Sequence, residues 1–327
     1  MYRAIATAVL LMSLGACAPP PSTPPSSAPL QQSKKAPPTA GKRDNTVQKS
    51  PDDSSAWIAR GGALLNAGDV EGALASFNEA IRLDPNGTDL FSNGIAFYGR
   101  ALCWIEKKNW DMAIPDLDAI IRINPNHEGG SSYQLRGMAR LHRGDFDGSI
   151  RDCSDALRLN PKNVVGLYFR GQAFVGKKDF DAAIRDFQGA IALAPQAKGP
   201  LESLCGVFTS KGDYDKATIA FENGLRIYPE SISMLIGLAR LMATCPDAKY
   251  RNGTTSVELA TKALKLSGDQ NPHAMDALAA AYAEIGAFDR AIDCQKQALA
   301  VPRVGERNPG AIDRLTRYQN GQTYRSN

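Results

Sequence analysis

The chain has 327 residues, 43% hydrophobic, 7% aromatic and 22% charged, a composition that fits a helical protein with a continuous core. Its formal net charge of +4 is segregated: residues 1–50 hold six basic side chains against Asp44, whereas from residue 51 onward 32 basic residues face 33 acidic ones. That near-neutral remainder argues against nucleic-acid binding through clustered Lys and Arg, and no internal apolar run reaches the roughly 18 to 20 residues a membrane helix needs.

Residues 1–17 open with Arg3, run through apolar positions from Ala4 to Leu14, and end Leu14-Gly15-Ala16-Cys17. This is the pattern of an export signal. The last four residues resemble the lipobox of bacterial lipoproteins, which implies lipidation of Cys17 as the first residue of the mature chain. Several acyl chains on one cysteine hold a protein durably on a bilayer, where a single chain binds marginally. Ala18 rather than Asp follows, which by the same resemblance implies the outer membrane, facing the periplasm, in a host with two membranes. Residues 18–53 are rich in Pro, Ser, Thr and Gln and nearly devoid of large apolar side chains. Such a segment cannot bury a core and is expected to be a disordered tether. At about 3 Å per residue it spans up to about 100 Å.

From residue 54 a 34-residue pattern recurs, clearest at 164–196, VVGLYFRGQAFVGKKDFDAAIRDFQGAIALAPQ. Each copy reads as two amphipathic helices. Small residues at repeat positions 8, 20 and 27 (Gly171, Ala183, Ala190) let the helices approach, and large ones at 4, 11 and 24 (Leu167, Phe174, Phe187) fill the space between them. Asp145 and Asp179 stand where a carboxylate caps the second helix, and Pro195 ends the copy. Seven copies are expected, at 54–87, 94–127, 130–163, 164–197, 198–231, 232–271 with an enlarged inter-helix loop, and 272–305. In the second, Pro115 should kink the early turns of its helix by removing a hydrogen bond. Residues 306–327 then supply a capping helix, with Ile312 and Leu315 inward and Arg314, Arg317 and Gln319 outward, and a tail.

These landmarks over 54–305 resemble the tetratricopeptide repeat family. The resemblance implies an all-α fold, a right-handed superhelical solenoid of helix-turn-helix units that binds partner proteins or peptides in its concave groove. The stretch from TCPDAKYRNG (244–253) to the terminal GQTYR (321–325) also resembles a C-terminal module of many bacterial repeat proteins, one to which no activity attaches.

Chemistry is sparse. His127, His142 and His273 lie in different repeats, and the string begun by His127-Glu128 breaks at Ser131, so a zinc hydrolase, or any metal site, is not expected. No phosphate loop, nucleophile elbow or carboxylate pair appears, so neither catalysis nor a cofactor is expected. Cys103, Cys153, Cys205, Cys245 and Cys294 show no CxxC spacing and are odd in number; buried thiols rather than disulfides are expected, with Cys245 the candidate for reactivity. Arginines at repeat position 7 (Arg60, Arg100, Arg136, Arg170) are placed to pair with acids of the adjacent helix. Groove positions give Ile95, Tyr98, Leu102, Gln134, Met138, Tyr168 and Gln172 as partner contacts. Anchor, tether and array together suggest an envelope scaffold that binds a protein or peptide and assists assembly of an envelope complex. Cell-wall glycan binding and structural self-association are the alternatives.

Overall fold

The computed structural model describes residues 53–84, 90–301 and 310–326. The expected signal, Cys17 and the tether up to residue 52 lie outside the described residues. Among those described there are fifteen α-helices and no strand. The described residues fall into two compact units, one up to Arg143 and one from Gly144 onward.

The N-terminal unit comprises α1 (Ser54–Asn66), α2 (Val70–Leu83), α3 (Leu90–Glu106), α4 (Trp110–Ile123), a 3-10 turn (His127–Gly130) and α5 (Ser131–His142). Successive helices pack as antiparallel pairs, and α1 also lies against α3. The second helix of each pair starts on a side-chain cap: the Gly72 amide donates to Asp69 at 2.9 Å and the Met112 amide to Asn109 at 3.3 Å. Phe77, Leu117 and Ile120 are completely buried on the inner faces of α2 and α4. A Cβ on Gly61 would lie 2.8 Å, and one on Gly99 2.2 Å, from the Phe77 ring, so both neighbouring first helices rest their backbones on that ring. Helix α3 starts at Leu90, four residues before the expected start of the second repeat; part of the apparent insertion thus extends a helix. Helix α4 runs through Pro115 unbroken.

The C-terminal unit contains α6 (Phe146–Leu159), α7 (Val164–Gly176), α8 (Phe180–Leu193), α9 (Lys198–Lys211), α10 (Tyr214–Ile227), α11 (Ile232–Thr244), α12 (Gly253–Leu266), α13 (Pro272–Glu284), α14 (Phe288–Ala300) and α15 (Gly310–Gln319). Asp145, Asp179 and Asp213 cap α6, α8 and α10 by accepting from the amides of Gly148, Ala182 and Lys216 at 2.9, 3.1 and 3.3 Å. The first two are the carboxylates the turn spacing marks, and Asp213 stands at the same spacing. Phe187 is fully buried beside Ala183, Cys205 and Phe208, and a Cβ on Gly171 would approach it to 2.6 Å.

Helix α15 packs on α14 with Leu315 half-buried and Arg317 and Gln319 exposed, as expected, but two positions depart from the expected face. Ile312 is exposed, whereas Ala311, Arg314 and Tyr318 are buried. The cause is a charge. Asp276 of α13 is buried and accepts from Arg314 Nε at 2.8 Å, from Gln295 Nε2 at 3.0 Å and from Arg240 Nη2 at 2.6 Å. A carboxylate taken out of water needs such partners, and meeting that need turns Arg314 inward and Ile312 out.

Candidate interaction surface

Each repeat surface is built by ion pairs that the sequence spacing encodes. Arg100 grips Asp116, sixteen residues on, through two bonds of 2.9 and 2.6 Å, and Arg170 grips Asp186 at 2.8 and 2.7 Å. Burial pushes the Asp116 carboxyl above its ordinary value even though Arg100 opposes that shift. Arg60 belongs to a repeat with Ser76 at the acidic position; its guanidinium lies 5.2 Å from the Trp57 ring centroid instead. Arg136 pairs with Asp118 at 2.5 Å.

A second register links successive repeats inside each compact unit. Glu71 pairs with Lys107 and Asp111 with Arg143 in the first; Asp147 pairs with Lys177, Asp181 with Lys211 and Asp215 with Lys249 in the second. The acid sits at the start of a second helix and the base at the end of the next first helix, except Lys249, which stands in the loop that follows α11. Sequence reasoning missed this alternation, although it is visible as a recurring acid about thirty residues before a base. Being exposed, these pairs fix register more than they stabilise.

The residues expected to line a groove divide into two groups. Tyr98, Leu102, Gln134 and Met138 are buried, with exposures of 2, 1, 8 and 2%, and present no surface to a partner. For Tyr98 the reason is local: the 3-10 turn brings His127 over its ring, 4.9 Å between centroids. Burial, and then the nearby Glu128 carboxylate, raise the phenol well above its ordinary value. Ile95 is half-buried against Ile58, Ala80 and Ala96. Tyr168 and Gln172 are half-buried as well. The Tyr168 ring lies 6.1 Å from that of Phe187 and covers Gly199, and Gln172 Nε2 donates to Ser203 Oγ at 2.7 Å. Both therefore bind the next first helix, α9.

What remains open on that side of the C-terminal unit is made of small and polar side chains. Gly206 of α9 is exposed, with nothing within 4 Å of a Cβ placed on it. One turn earlier, Glu202 accepts from Ser231 Oγ at 2.7 Å and from exposed Ser233, and lies 3.6 Å from Lys198 Nζ. Hydroxyls, an amide and a carboxylate can hydrogen-bond a peptide backbone; among them stands no acid–base or nucleophile arrangement.

Among the described residues the cysteines are thiols, not disulfides. Cys103, Cys153, Cys205 and Cys245 are buried and Cys294 half-buried, all free. Burial pushes the thiols of Cys103, Cys153 and Cys205 up to about 12. Cys245, marked from its loop position as a reactive candidate, has 0% exposure and a raised pKa, so it is not one. Among the described residues no group of three or more His, Cys, Asp or Glu is placed to hold a metal, and no helix is long and apolar enough to cross a membrane.

Capped helical pairs recurring at one spacing, with a small residue at each helix contact, define a helical-repeat protein of the solenoid class. Residues 42–88 and 135–198 match the family model for the tetratricopeptide repeat. The fold is shared with a tetratricopeptide repeat protein of Parabacteroides merdae, at 14% identity and a TM-score of 0.59, over 80% of this chain and 97% of that one. It is shared also with yeast Tom70, at 20% identity and 0.52, over 82% of this chain and 54% of that one. MamA of Desulfovibrio magneticus matches at 18% identity and 0.50, over 55% of this chain and 97% of its own. At such identities the likeness is one of fold. Residues 42–88 and 135–198 carry tetratricopeptide repeats, and the described chain shares the all-α solenoid fold of proteins built from them.

Proposed function

We propose that this protein is a membrane-anchored interaction scaffold of the bacterial envelope, holding a protein or peptide partner on the first-helix face of its C-terminal unit and assisting assembly of a larger envelope complex. The observation that carries the binding half is the open patch around Gly206, where Glu202, Ser203 and Ser233 present polar groups beside a helix backbone that no side chain covers. An extended or helical segment can approach such a backbone closely and bond to the hydroxyls along it. The anchoring half rests on Leu14-Gly15-Ala16-Cys17 behind an apolar run, with the tether beyond it setting the reach. Ala18 favours the outer membrane. Tyr98, Leu102, Gln134 and Met138 have no part in this reading.

Two substitutions test the two halves. Gly206→Arg fills open space without meeting the core, so the chain should keep or slightly raise its melting temperature while losing the proteins crosslinked to it in intact cells. An unchanged crosslinking pattern would refute the face. Cys17→Ser should move the protein from the membrane pellet to the soluble fraction, and continued sedimentation would refute the anchor.

A further inference from the structure

The last residues of the chain behave as a bound peptide. Helix α15 closes at Gly321, in the left-handed region at φ +66°, and residues 322–326 then run without secondary structure across the end of α11. Three successive residues are held by three kinds of contact. Tyr324 packs into the cluster of Ala279, Ala283, Ala291 and Tyr318, with the Arg314 guanidinium 5.4 Å from its ring centroid. Arg325 Nη1 stands 2.7 Å from Glu284 Oε2 and donates to the Ala243 carbonyl at 3.3 Å. The Ser326 amide donates to the Thr244 carbonyl at 2.9 Å, and its hydroxyl to the same carbonyl at 3.1 Å.

The receiving surface explains these contacts. The last carbonyls of a helix have no partner within it and carry the negative end of its dipole, so they accept amides and attract cations. In α11 they are shared out among later parts of the chain. The Asn252 amide takes Met242, and Ala243 and Thr244 go to the tail, while Arg251 Nη1 takes the carbonyls of Cys245 and Pro246 just beyond the helix at 2.9 and 3.0 Å. Arg251 Nε also donates to Glu284 Oε1 at 2.9 Å, which fixes that carboxylate with its other oxygen turned toward Arg325. Glu284 is thus preset by one arginine of the fold to receive a second. Nothing in these contacts requires the incoming segment to be covalently continuous with α15.

We propose that the end of α11, the 245–251 loop and Glu284 form a recognition site for an extended aromatic–basic–small segment, and that Tyr324-Arg325-Ser326 is its built-in occupant, displaced when a partner protein presents a segment of the same chemistry. The site does not involve the Gly206 patch, so either can fail without the other. Occupancy in cis raises the concentration a competing segment must reach, because a short linker holds the tail at an effective concentration on the order of millimolar. The tail therefore sets a threshold for binding.

The probe is a fluorescent synthetic peptide with the sequence of residues 322–327, Gln-Thr-Tyr-Arg-Ser-Asn. The full chain carrying Arg325→Glu repels its own tail from Glu284 and should bind this peptide at least about tenfold more tightly than wild type does. A chain ending at Gln322 should do the same, and Glu284→Gln added to either should remove the gain. The same peptide with Glu in place of its arginine should not bind. A folded Arg325→Glu chain, judged by circular dichroism, that binds no better than wild type overturns the proposal. Should both variants unfold, the unaltered chain decides: a fluorophore attached beyond Asn327 must lose anisotropy when unlabelled peptide is added to saturation, and constant anisotropy is the contrary result.

Discussion

At the scale of single residues, two glycines on first helices make opposite predictions. Gly171 touches the Phe187 ring, and a Cβ there would sit 2.6 Å from it. Gly171→Ala should cost about 1–3 kcal/mol by overpacking, although alanine is the better helix former. Gly206 meets nothing, so Gly206→Ala should stabilise by about 0.5–1 kcal/mol through the backbone alone. Urea unfolding of both variants reads the difference in sign. Position 8 is legible in sequence as a place for a small residue, but the buried fate of Tyr98 is not. Its helix position places it on the inner face, and the turn that brings His127 across the ring covers it there. That histidine carries a further prediction. Burial holds His127 below its ordinary value, and partial desolvation with nearby Lys108 lowers His142, an exposed residue that stacks on Trp110 at 4.3 Å. The unfolded chain therefore binds protons more readily. The stability these two residues lend is present above about pH 6.5 and is lost as pH falls through that value toward their folded ones. The melting temperature should drop between pH 7.5 and 5, and the drop should shrink in the His127→Gln/His142→Gln double variant.

At the scale of elements, the second helices were the most legible part, because their start is chemically marked. Asp145, Asp179 and Asp213 recur at one spacing, and each accepts an amide three residues on. Asp179→Ala should cost about 1 kcal/mol, measured by thermal unfolding, with helix content retained below the transition. In the last helix Leu315 is half-buried and Arg317 and Gln319 are exposed, as expected, but Ile312 and Arg314 exchange places. Hydrophobicity alone turns Ile312 inward. The helix obeys a different demand, that of buried Asp276 for the guanidinium of Arg314, and a partner thirty-eight residues distant leaves no periodic trace. Asp276→Ala strands Arg314 and Gln295 and should cost about 3 kcal/mol or more. Limited proteolysis should then cut first near α15; cleavage elsewhere with α15 still protected would show that its apolar contacts suffice.

For the whole molecule, the charge distribution and the repeats point the same way. The net positive charge lies before residue 51, where acids are scarce, and the repeats are balanced to within one charge, with acids and bases spent on each other in the Arg–Asp and Asp–Lys registers. A surface with its charges paired leaves recognition to backbone, hydroxyl and amide groups, which suits an extended or helical polypeptide better than a polyanion. The repeat pattern announced an array. It did not say which face is open, because groove positions are covered wherever a neighbouring helix or turn reaches them, as at Leu102, and stay open where glycine and serine replace large side chains, as at Gly206. The scaffold reading is tested most directly by a photo-crosslinking amino acid placed at residue 206 in living cells, with the same amino acid at exposed Glu222 of α10 as the control. A discrete crosslinked product from position 206, absent from position 222 and lost on adding Ser233→Arg, is the predicted result; equal products from both positions, or none from 206, would contradict it.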